Sequence, residues 1–344
     1  MKSKFTLTAI CLVMLLTGCN FFSPLRLYET SFLLLFNTKI TIMHYTYSAE
    51  DFRAFAELAH NKFENYHRLF NIHTSYDGVN NIKTVNSNAG ISEIIVDDAI
   101  IDLLVFAKEK YEIASGTVNI ALGPVLTIWR SYREAGLRDP ESARIPSVEQ
   151  LQAAHEYSSI CNVLIDEERR TVFLPYENMS LDVGSVAKGF AVQRVAEGLK
   201  AEGYDSFLIN AGGDVKAVGT KIRNTPWNIG VANPNLSGEL IATLQIADMS
   251  TATSGDYQQY FTVNNQRHNH IIDPGTLFPA LNFRSVTVIN ENAGIADFLS
   301  TALFVMSYED GKKLIENFEN TYAIWVDAQF NVQFSERIDH ILRY

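Results

Sequence analysis

The chain has 344 residues, of which 47% are apolar, and its formal net charge is −11. A chain of this length can bury one large core or two smaller ones. Nucleic acids bind positively charged surfaces, so the acidic balance argues against nucleic acid as a partner. No Cys or His cluster has the spacing of a zinc site.

The N-terminus has the layout of a secretory signal peptide. Lys2 and Lys4 supply positive charge, the run 5–16 is mostly apolar, and small residues precede Cys19. The run is shorter than the about 20 apolar residues that a membrane-spanning helix needs. Cys19 is therefore predicted as the lipid-modified first residue of an exported protein, anchored to a bacterial membrane and facing the periplasm. An ordinary signal peptide or an uncleaved anchor is the alternative.

These features predict a lipoprotein signal peptide over 1–18, an anchor-proximal linker over 19–30 and one domain over 31–344. Cys11 is removed with the signal peptide and Cys19 is lipidated in this interpretation. Only Cys161 remains, so the mature chain forms no intramolecular disulfide.

Hydrophobic periodicity predicts the elements of the domain, and glycine and capping residues mark their ends. In chain order they are a strand over 27–45, helices over 49–70 and 97–114, a helix from Ser147 with a capping box to Gln150, a hairpin of 161–165 with 171–174, a helix over 188–201, strands over 207–210, 227–231, 240–246 and 285–289, and a helix over 293–306. Many strands adjoin as hairpins. This pattern favours an α+β fold with a largely antiparallel sheet over a doubly wound fold.

The segment 181–190 places charged groups at a turn. Asp182 ends a short strand, Gly184 and Ser185 form the turn, and Lys188 lies at the start of the next helix. Backbone N–H groups at a helix start attract phosphate, and Lys188 adds positive charge. An ordinary strand–turn–helix junction is the alternative.

The segment 208–215 runs from an apolar strand into Gly212, Gly213 and Asp214. Glycines here allow a flat ring or another backbone to approach closely. A two-residue hairpin turn explains the same residues.

A third segment carries His270, Asp273 and Thr276 at even spacing. Histidine titrates near neutral pH, so His270 is a candidate for proton transfer, with Asp273 orienting it or binding a cation. The alternative is a surface strand followed by a turn that starts at Asp273.

A fourth segment places Asp297, Ser300 and Thr301 on one side of an apolar helix. A carboxylate near a core needs a partner, and oxygen ligands without thiol or imidazole suit Mg²⁺. The alternative is that Asp297 caps the helix and Thr301 bonds back to a carbonyl.

In their order and separation, these segments resemble the ApbE family, the FAD:protein FMN transferases. The matching stretches are 182–192, 210–215, 253–257, 270–280 and 285–303, with weaker matches at Tyr76 and Asn86 and from Gly116 to Trp129. The resemblance covers essentially the whole mature chain. It implies a T-fold-like α+β domain, largely antiparallel sheets packed with helices, with FAD as substrate and Mg²⁺ as cofactor.

The resemblance also implies site residues. Mg²⁺ would be bound by Asp297 and Thr301, with Ser300 adding to the metal shell and Ser185 contributing its carbonyl. Several segments would hold FAD, and their residues are Phe36, Tyr76, Val118, Asn119, Ile120, Asp182, Lys188, Gly212, Gly213, Asp214, His270, Ile271 and Thr276.

Three positions depart from the family pattern. Asn119 stands where the family usually has an aspartate, and Phe36-Asn37 stands where it has Met-Gly. Gly275 and Leu277 stand where it commonly has an arginine and a glycine. The loss of an arginine near a pyrophosphate removes a bidentate phosphate donor.

The implied activity is Mg²⁺-dependent transfer of FMN from FAD to a threonine hydroxyl of an acceptor protein, with release of AMP. His270 would take the hydroxyl proton and Asp273 would orient it. Acceptors would be membrane redox proteins with a Ser/Thr-Gly-Ala/Ser-Thr type motif. The alternatives are a Mg²⁺-dependent FAD pyrophosphatase that yields FMN and AMP, a flavin-binding lipoprotein without catalysis, and a solute-binding lipoprotein.

Overall fold

A computed structural model describes residues 24–235 and 237–343 of the chain. The predicted signal peptide over 1–18 and Cys19 lie outside the described residues. Among the described helices, none combines the length and apolar character that crossing a bilayer requires.

Eight α-helices are assigned within the described ranges: α1 (Ala49–Leu69), α2 (Ile82–Ser87), α3 (Asp98–Ile113), α4 (Gly123–Arg138), α5 (Val148–His155), α6 (Ala187–Ala201), α7 (Ala293–Val305) and α8 (Tyr308–Ile315). The strands are β1 (Arg26–Leu35), β2 (Thr38–Thr46), β3 (Ile94–Ile95), β4 (Leu164–Asp166), β5 (Thr171–Phe173), β6 (Phe207–Ala211), β7 (Asp214–Val218), β8 (Trp227–Ala232), β9 (Leu240–Ile246), β10 (Ser250–Gly255), β11 (Tyr260–Val263), β12 (Gln266–Asn269), β13 (Phe283–Asn290), β14 (Tyr322–Asp327), β15 (Val332–Phe334) and β16 (Leu342–Arg343).

Eight strands form the main sheet, in the order β1-β2-β6-β7-β10-β13-β14-β15. Every neighbouring pair in this sheet is antiparallel. Three smaller sheets have the orders β16-β9-β8, β3-β5-β4 and β11-β12. The predicted α+β class with largely antiparallel sheets is confirmed.

Alternate side chains of β6 show how the main sheet is covered on its two faces. Phe207 and Ile209 pack with Phe55 of α1 and Val195 of α6. Leu208, between them, packs into a separate cluster with residues of β8 and β9. The main sheet therefore lies between a helical layer and the three-stranded sheet β16-β9-β8.

The predicted single strand over 27–45 is wrong, because the chain folds there into the hairpin of β1 and β2. Phe36 and Asn37 form its turn, with φ of 52° and 53°. Asparagine tolerates this left-handed conformation, but the apolar run before it and the absence of glycine hid the turn in the sequence. Residues 26–30, predicted as part of the linker, pair with β2 and belong to the sheet.

Several other boundaries follow the sequence closely. The capping box of Ser147 and Gln150 is present at the start of α5, and α1, α3, α6 and α7 lie where periodicity predicted helices. Helix α4 was not predicted, although Pro124 in its first turn is a recognised start signal. Cys161, predicted as the start of a strand, lies in a short 3₁₀ helix before β4.

Candidate functional site

A cleft of about 1030 Å³ opens between the helical layer and the loops that follow β10 and β12. This volume is at the upper end of the range typical of small-molecule sites. Many of the predicted site residues line it, namely Phe36, Val118, Asn119, Asp182, Ser185, Lys188, Gly212, His270, Ile271, Asp297 and Thr301. Others do not, namely Tyr76, Ile120, Gly213, Asp214, Asp273, Thr276 and Ser300.

Asp297 lies in the second turn of α7, where helices α6 and α7 make close contact. Its side chain is buried, and its Oδ2 accepts a hydrogen bond of 2.7 Å from the backbone N–H of Gly189. A Cβ at position 189 would lie 2.3 Å from the Cβ of Asp297. Glycine at position 189 therefore lets the two helices approach closely enough to hold the Asp297 carboxylate.

A second buried carboxylate, that of Asp214, lies close to Asp297. The Oδ2 of Asp214 is 2.5 Å from the Nζ of Lys188. Burial and the neighbouring Asp214 carboxylate raise the pKa of Asp297 to about 8. Burial opposes the charge of Lys188, but the two carboxylates outweigh it and raise the pKa of Lys188. Asp214 does not line the cleft itself; it acts through Lys188, which does.

Thr301 lies one turn after Asp297 and faces the cleft, as predicted. Ser300 does not, so its predicted place in a metal shell is wrong. Its hydroxyl donates to the backbone carbonyl of Asp297 at 2.9 Å and lies 2.9 Å from the Oγ of Ser254. Ser254 lies 3.3 Å from Thr301 Oγ1 and lines the cleft, but sequence reasoning did not single it out.

The turn at Asp182 forms another wall of the cleft. The Oδ1 of Asp182 accepts from the N–H of Gly184 at 3.0 Å, and its Oδ2 pairs with Nη2 of Arg130 at 2.5 Å. The backbone N–H of Asp182 donates to the carbonyl of Ile120 at 2.8 Å. Ile120 is fully buried, so it supports this wall from behind and does not contact the cleft.

Asn119 uses both ends of its amide within the protein. Its Nδ2 donates to the carbonyl of Ser158 at 2.8 Å, and its Oδ1 accepts from the N–H of Ala121 at 2.8 Å. A carboxylate at this position would place an acceptor against the Ser158 carbonyl. The departure from aspartate is therefore matched by a local hydrogen-bond pattern that requires an amide.

His270 lines the cleft, and its buried Nδ1 has no hydrogen-bond partner among the described residues. Burial, together with the nearby positive charge of Arg133, lowers the pKa of His270 to about 4. The imidazole is therefore neutral at neutral pH and can accept a hydrogen bond.

Asp273 does not orient His270, and this prediction is wrong. The two carboxylate oxygens of Asp273 accept from the N–H of Gly275 at 2.8 Å and from the hydroxyl of Thr276 at 3.0 Å. These bonds close a local turn, as an aspartate that starts a turn commonly does, and Asp273 itself does not line the cleft. Thr276 is held in the same turn, so its predicted contact with FAD is also not supported by its position.

The two predicted roles of the glycine pair, a tight hairpin turn and a close approach by another segment, are both present in the structure. Gly212 and Gly213 have φ of 62° and 104° and form the two-residue turn between β6 and β7. A Cβ at Gly212 would lie 2.1 Å from the Oγ1 of Thr38. Gly212 thus lets the β1–β2 hairpin approach the cleft wall, whereas Gly213 is exposed and outside it.

Tyr76 lies behind the cleft wall rather than in it. Its hydroxyl accepts from Nδ2 of Asn71 at 3.2 Å and lies 3.4 Å from Nε2 of His67. His67 in turn accepts from the N–H of Phe36 at 3.1 Å. Sequence reasoning missed Asn71 and His67, which both line the cleft at and beyond the end of α1.

Sequence reasoning also missed the charged residues of α4, because the matching stretch stopped at Trp129. Arg130, Arg133 and Glu134 all line the cleft. The sequence signal that could have indicated them is the i, i+3 spacing of Arg130 and Arg133, which places both arginines on one side of a helix. A deep cleft with buried carboxylates and cations from two helices defines a site for an anionic small molecule.

Comparisons with known proteins identify the family of this chain. The ApbE family profile matches residues 36–325. The chain is 30% identical over 269 residues to an FAD:protein FMN transferase of Treponema pallidum (strain Nichols), covering 75% of this chain and 73% of that protein. It is 31% identical over 256 residues to one of Klebsiella pneumoniae (strain 342), covering 74% and 77% respectively.

Solved structures show the same fold. The ApbE protein of Thermotoga maritima superposes with a TM-score of 0.79 at 29% identity, covering 93% of this chain and all of that one (100%). The apo form of the Pseudomonas stutzeri flavinyl transferase ApbE gives a TM-score of 0.76 at 25% identity, covering 92% and 96%. The chain belongs to the ApbE family.

Proposed function

We propose that this protein transfers FMN from FAD to a threonine hydroxyl of an acceptor protein and releases AMP. The relatives named above are FAD:protein FMN transferases. The oxygen pair Asp297 and Thr301 lines the same cleft as the cations of α4 and α6. This observation carries the proposal. Phosphoryl transfer depends on positioning and charge neutralisation more than on covalent chemistry by the protein.

The residues present fit Mg²⁺ at Asp297 and Thr301. Within the described ranges no three His, Cys, Asp or Glu side chains gather as a metal site. Mg²⁺ is commonly held by one or two carboxylates together with water and substrate phosphates. Asp297 has Asp214 beside it, and Lys188 supplies one positive charge for the two carboxylates. A cation at Asp297 would balance the second, and Ser185, which lines the same cleft, would add its carbonyl.

Bound there, Mg²⁺ would neutralise charge that builds on the leaving phosphate. The protein's own residues would hold the phosphates and take the proton of the acceptor hydroxyl. Lys188, fixed by Asp214, holds positive charge at the cleft wall, and Asp182 fixes Arg130, which also lines the cleft. His270 is our candidate to accept the proton of the threonine hydroxyl, because its neutral ring lines the cleft and its Nδ1 is not engaged.

A pKa of about 4 makes His270 a weak base, so its contribution lies at the low end of general-base catalysis, about 100-fold. Replacement by alanine should lower turnover by that factor and leave FAD binding within a few-fold. Near-normal transfer by His270→Ala would remove His270 from the mechanism.

We further propose that acceptors are redox proteins of the membrane that carry a Ser/Thr-Gly-Ala/Ser-Thr type motif. Lipid attachment at Cys19 would keep the enzyme on the membrane face where such acceptors are flavinylated. The support is the sequence pattern around Cys19.

The test is to incubate the full chain with FAD, Mg²⁺ and an acceptor that carries the motif, and to look for a fluorescent acceptor band. Transfer predicts a band that needs Mg²⁺ and the acceptor threonine, with AMP released. Free FMN and AMP without a labelled acceptor would indicate a pyrophosphatase. FAD that stays intact would indicate a flavin-binding protein without catalysis.

A further inference from the structure

Arg133 places a positive charge in the cleft that the protein does not neutralise. It lies on α4, one turn after Arg130, and both side chains line the cleft. Arg130 pairs with Asp182 at 2.5 Å. Arg133 has no carboxylate oxygen within 4.0 Å and no side-chain hydrogen bond to any residue in the described part of the chain.

The surroundings of Arg133 disfavour a lone cation. Burial and the neighbouring charge of Arg130 lower the pKa of Arg133, and Glu134 and Asp182 offset this only in part. Arg133 and His270 both line the cleft, and the charge of Arg133 contributes to the low pKa of His270. An anionic ligand between Arg130 and Arg133 would relieve the repulsion between them.

The other cations of the cleft are already engaged. Lys188 pairs with Asp214, and Arg130 pairs with Asp182. Among the described residues that line the cleft, Arg133 is thus the arginine whose N–H groups are open to a ligand. A guanidinium matches phosphate oxygens with two parallel hydrogen bonds, which makes it well suited to a diphosphate.

Helix α4 holds Arg133 in a fixed position. The indole Nε1 of Trp129 donates to the carbonyl of Leu277 at 2.8 Å, and this bond is buried. The Trp129 ring also stacks on His268 with a centroid separation of 6.1 Å. These contacts tie α4 to the loop 273–277, so the guanidinium projects from a rigid element into the cleft.

We propose that Arg133 binds the diphosphate of FAD from the α4 wall and thereby gives the cleft its preference for the dinucleotide over riboflavin. The inference rests on the proposed function, since it requires FAD to occupy this cleft. It assigns a ligand-binding role to a residue that sequence motifs did not indicate.

The test compares the Kd of FAD with the Kd of riboflavin, by flavin fluorescence, for the full chain and for Arg133→Met. Loss of charge-assisted hydrogen bonds should weaken FAD binding by about 10- to 100-fold. Riboflavin has no phosphate, so its Kd should stay within about two-fold. Arg138→Gln, an exposed position at the end of the same helix, is the matched control and should leave both Kd values unchanged.

Arg133→Lys keeps the charge but loses the paired N–H groups, so its FAD affinity should lie between those of wild type and Arg133→Met; it also serves if the methionine variant folds poorly. Equal loss of FAD and riboflavin binding in Arg133→Met would show a structural role and overturn the inference. Unchanged FAD binding in that variant would overturn it as well, while leaving the proposed function intact. A wild-type chain that binds neither flavin would instead contradict the proposed function.

Discussion

Asp297 is a buried carboxylate with a second carboxylate, that of Asp214, beside it. One lysine, Lys188, pairs with Asp214 and lines the cleft. Such an arrangement is unfavourable for an ionised pair in the absence of a further cation. The raised pKa of Asp297, about 8, expresses this, because burial and Asp214 both oppose its negative charge. The carboxylate is therefore suited to bind a cation together with its ligand.

Replacing Asp297 by asparagine should lower Mg²⁺-dependent turnover by about 100-fold or more, since it removes the charged oxygen proposed to hold the metal. The measurement is AMP release from FAD over a Mg²⁺ titration. Asp273→Asn is the control: the Asp273 side chain bonds within its own turn and does not line the cleft, so turnover of this variant should stay within about two-fold of wild type. Similar turnover in wild type and Asp297→Asn would place the metal elsewhere.

The lowered pKa of His270 predicts how the free energy of unfolding depends on pH. Its pKa falls from the ordinary 6.5 to about 4 in the folded protein. Between these values the unfolded chain binds a proton that the folded chain does not, so the free energy of unfolding falls as pH drops from 6.5 towards 4. The free energy of unfolding should fall by about 1 to 3 kcal/mol over this window. Above pH 6.5 the titration of His270 should not change it.

Urea unfolding at several pH values checks this. His270→Gln should be less sensitive than wild type to acidification over that window, and equally sensitive outside it. Parallel pH profiles for the two proteins across the window would show that His270 titrates normally in the folded state.

At the scale of elements, the contact between α6 and α7 determines where Asp297 sits. Gly189→Ala should destabilise the protein by about 1 to 3 kcal/mol, because the new Cβ would overlap the Cβ of Asp297 and the carbonyl of Ala293. It should also lower turnover, since the carboxylate must move. Thermal unfolding and AMP release measure the two effects.

Gly198→Ala is the matched control on the same helix. Its Cβ would meet the flexible end of Lys62, with Nζ at 2.8 Å, which can move aside. Alanine is favoured over glycine in a helix by up to about 1 kcal/mol, so this variant should be neutral or more stable. Equal destabilisation by both substitutions would mean that helix α6 tolerates no side chain at either position, and that the α6–α7 contact has no special role.

Periodicity and capping predicted helices α1, α3, α5, α6 and α7, since each apolar stripe or capping residue is local, whereas strands such as β7, β10 and β14 were not predicted. The Ser147 capping box and the stripes of α1, α3 and α7 are examples. The β1–β2 turn was missed because Phe36 and Asn37 lie between an apolar run over 32–36 and the alternating segment 39–42, with no glycine or proline between them. Hairpin turns that lack glycine give a weak local signal.

The site was predictable where one segment carries the chemistry, as for Asp182, Lys188, Asp297 and Thr301. It was not predictable where the contact is between distant segments. Asp273 and Ser300 have the right residue types, but each satisfies its hydrogen bonds locally and does not reach the cleft. Arg133 was missed for the opposite reason, since only the fold brings α4 to this wall.

At the scale of the whole molecule, Cys19 is proposed to carry a lipid that keeps the chain near a membrane acceptor. Cys19→Ser should move the protein from the membrane fraction to the soluble fraction after cell lysis. Cys161→Ser changes the exposed free cysteine of the domain and should leave the protein with the membrane. Equal partition of both variants into the membrane would contradict lipid attachment at Cys19.

Transfer of FMN to protein in this cleft is tested by the intact mass of a threonine-containing acceptor after incubation with the full chain, FAD and Mg²⁺. We expect an increase equal to one FMN less one water, located on the motif threonine, and no increase with Asp297→Asn or with chelator. An acceptor of unchanged mass, while FAD is converted to free FMN and AMP, would contradict it.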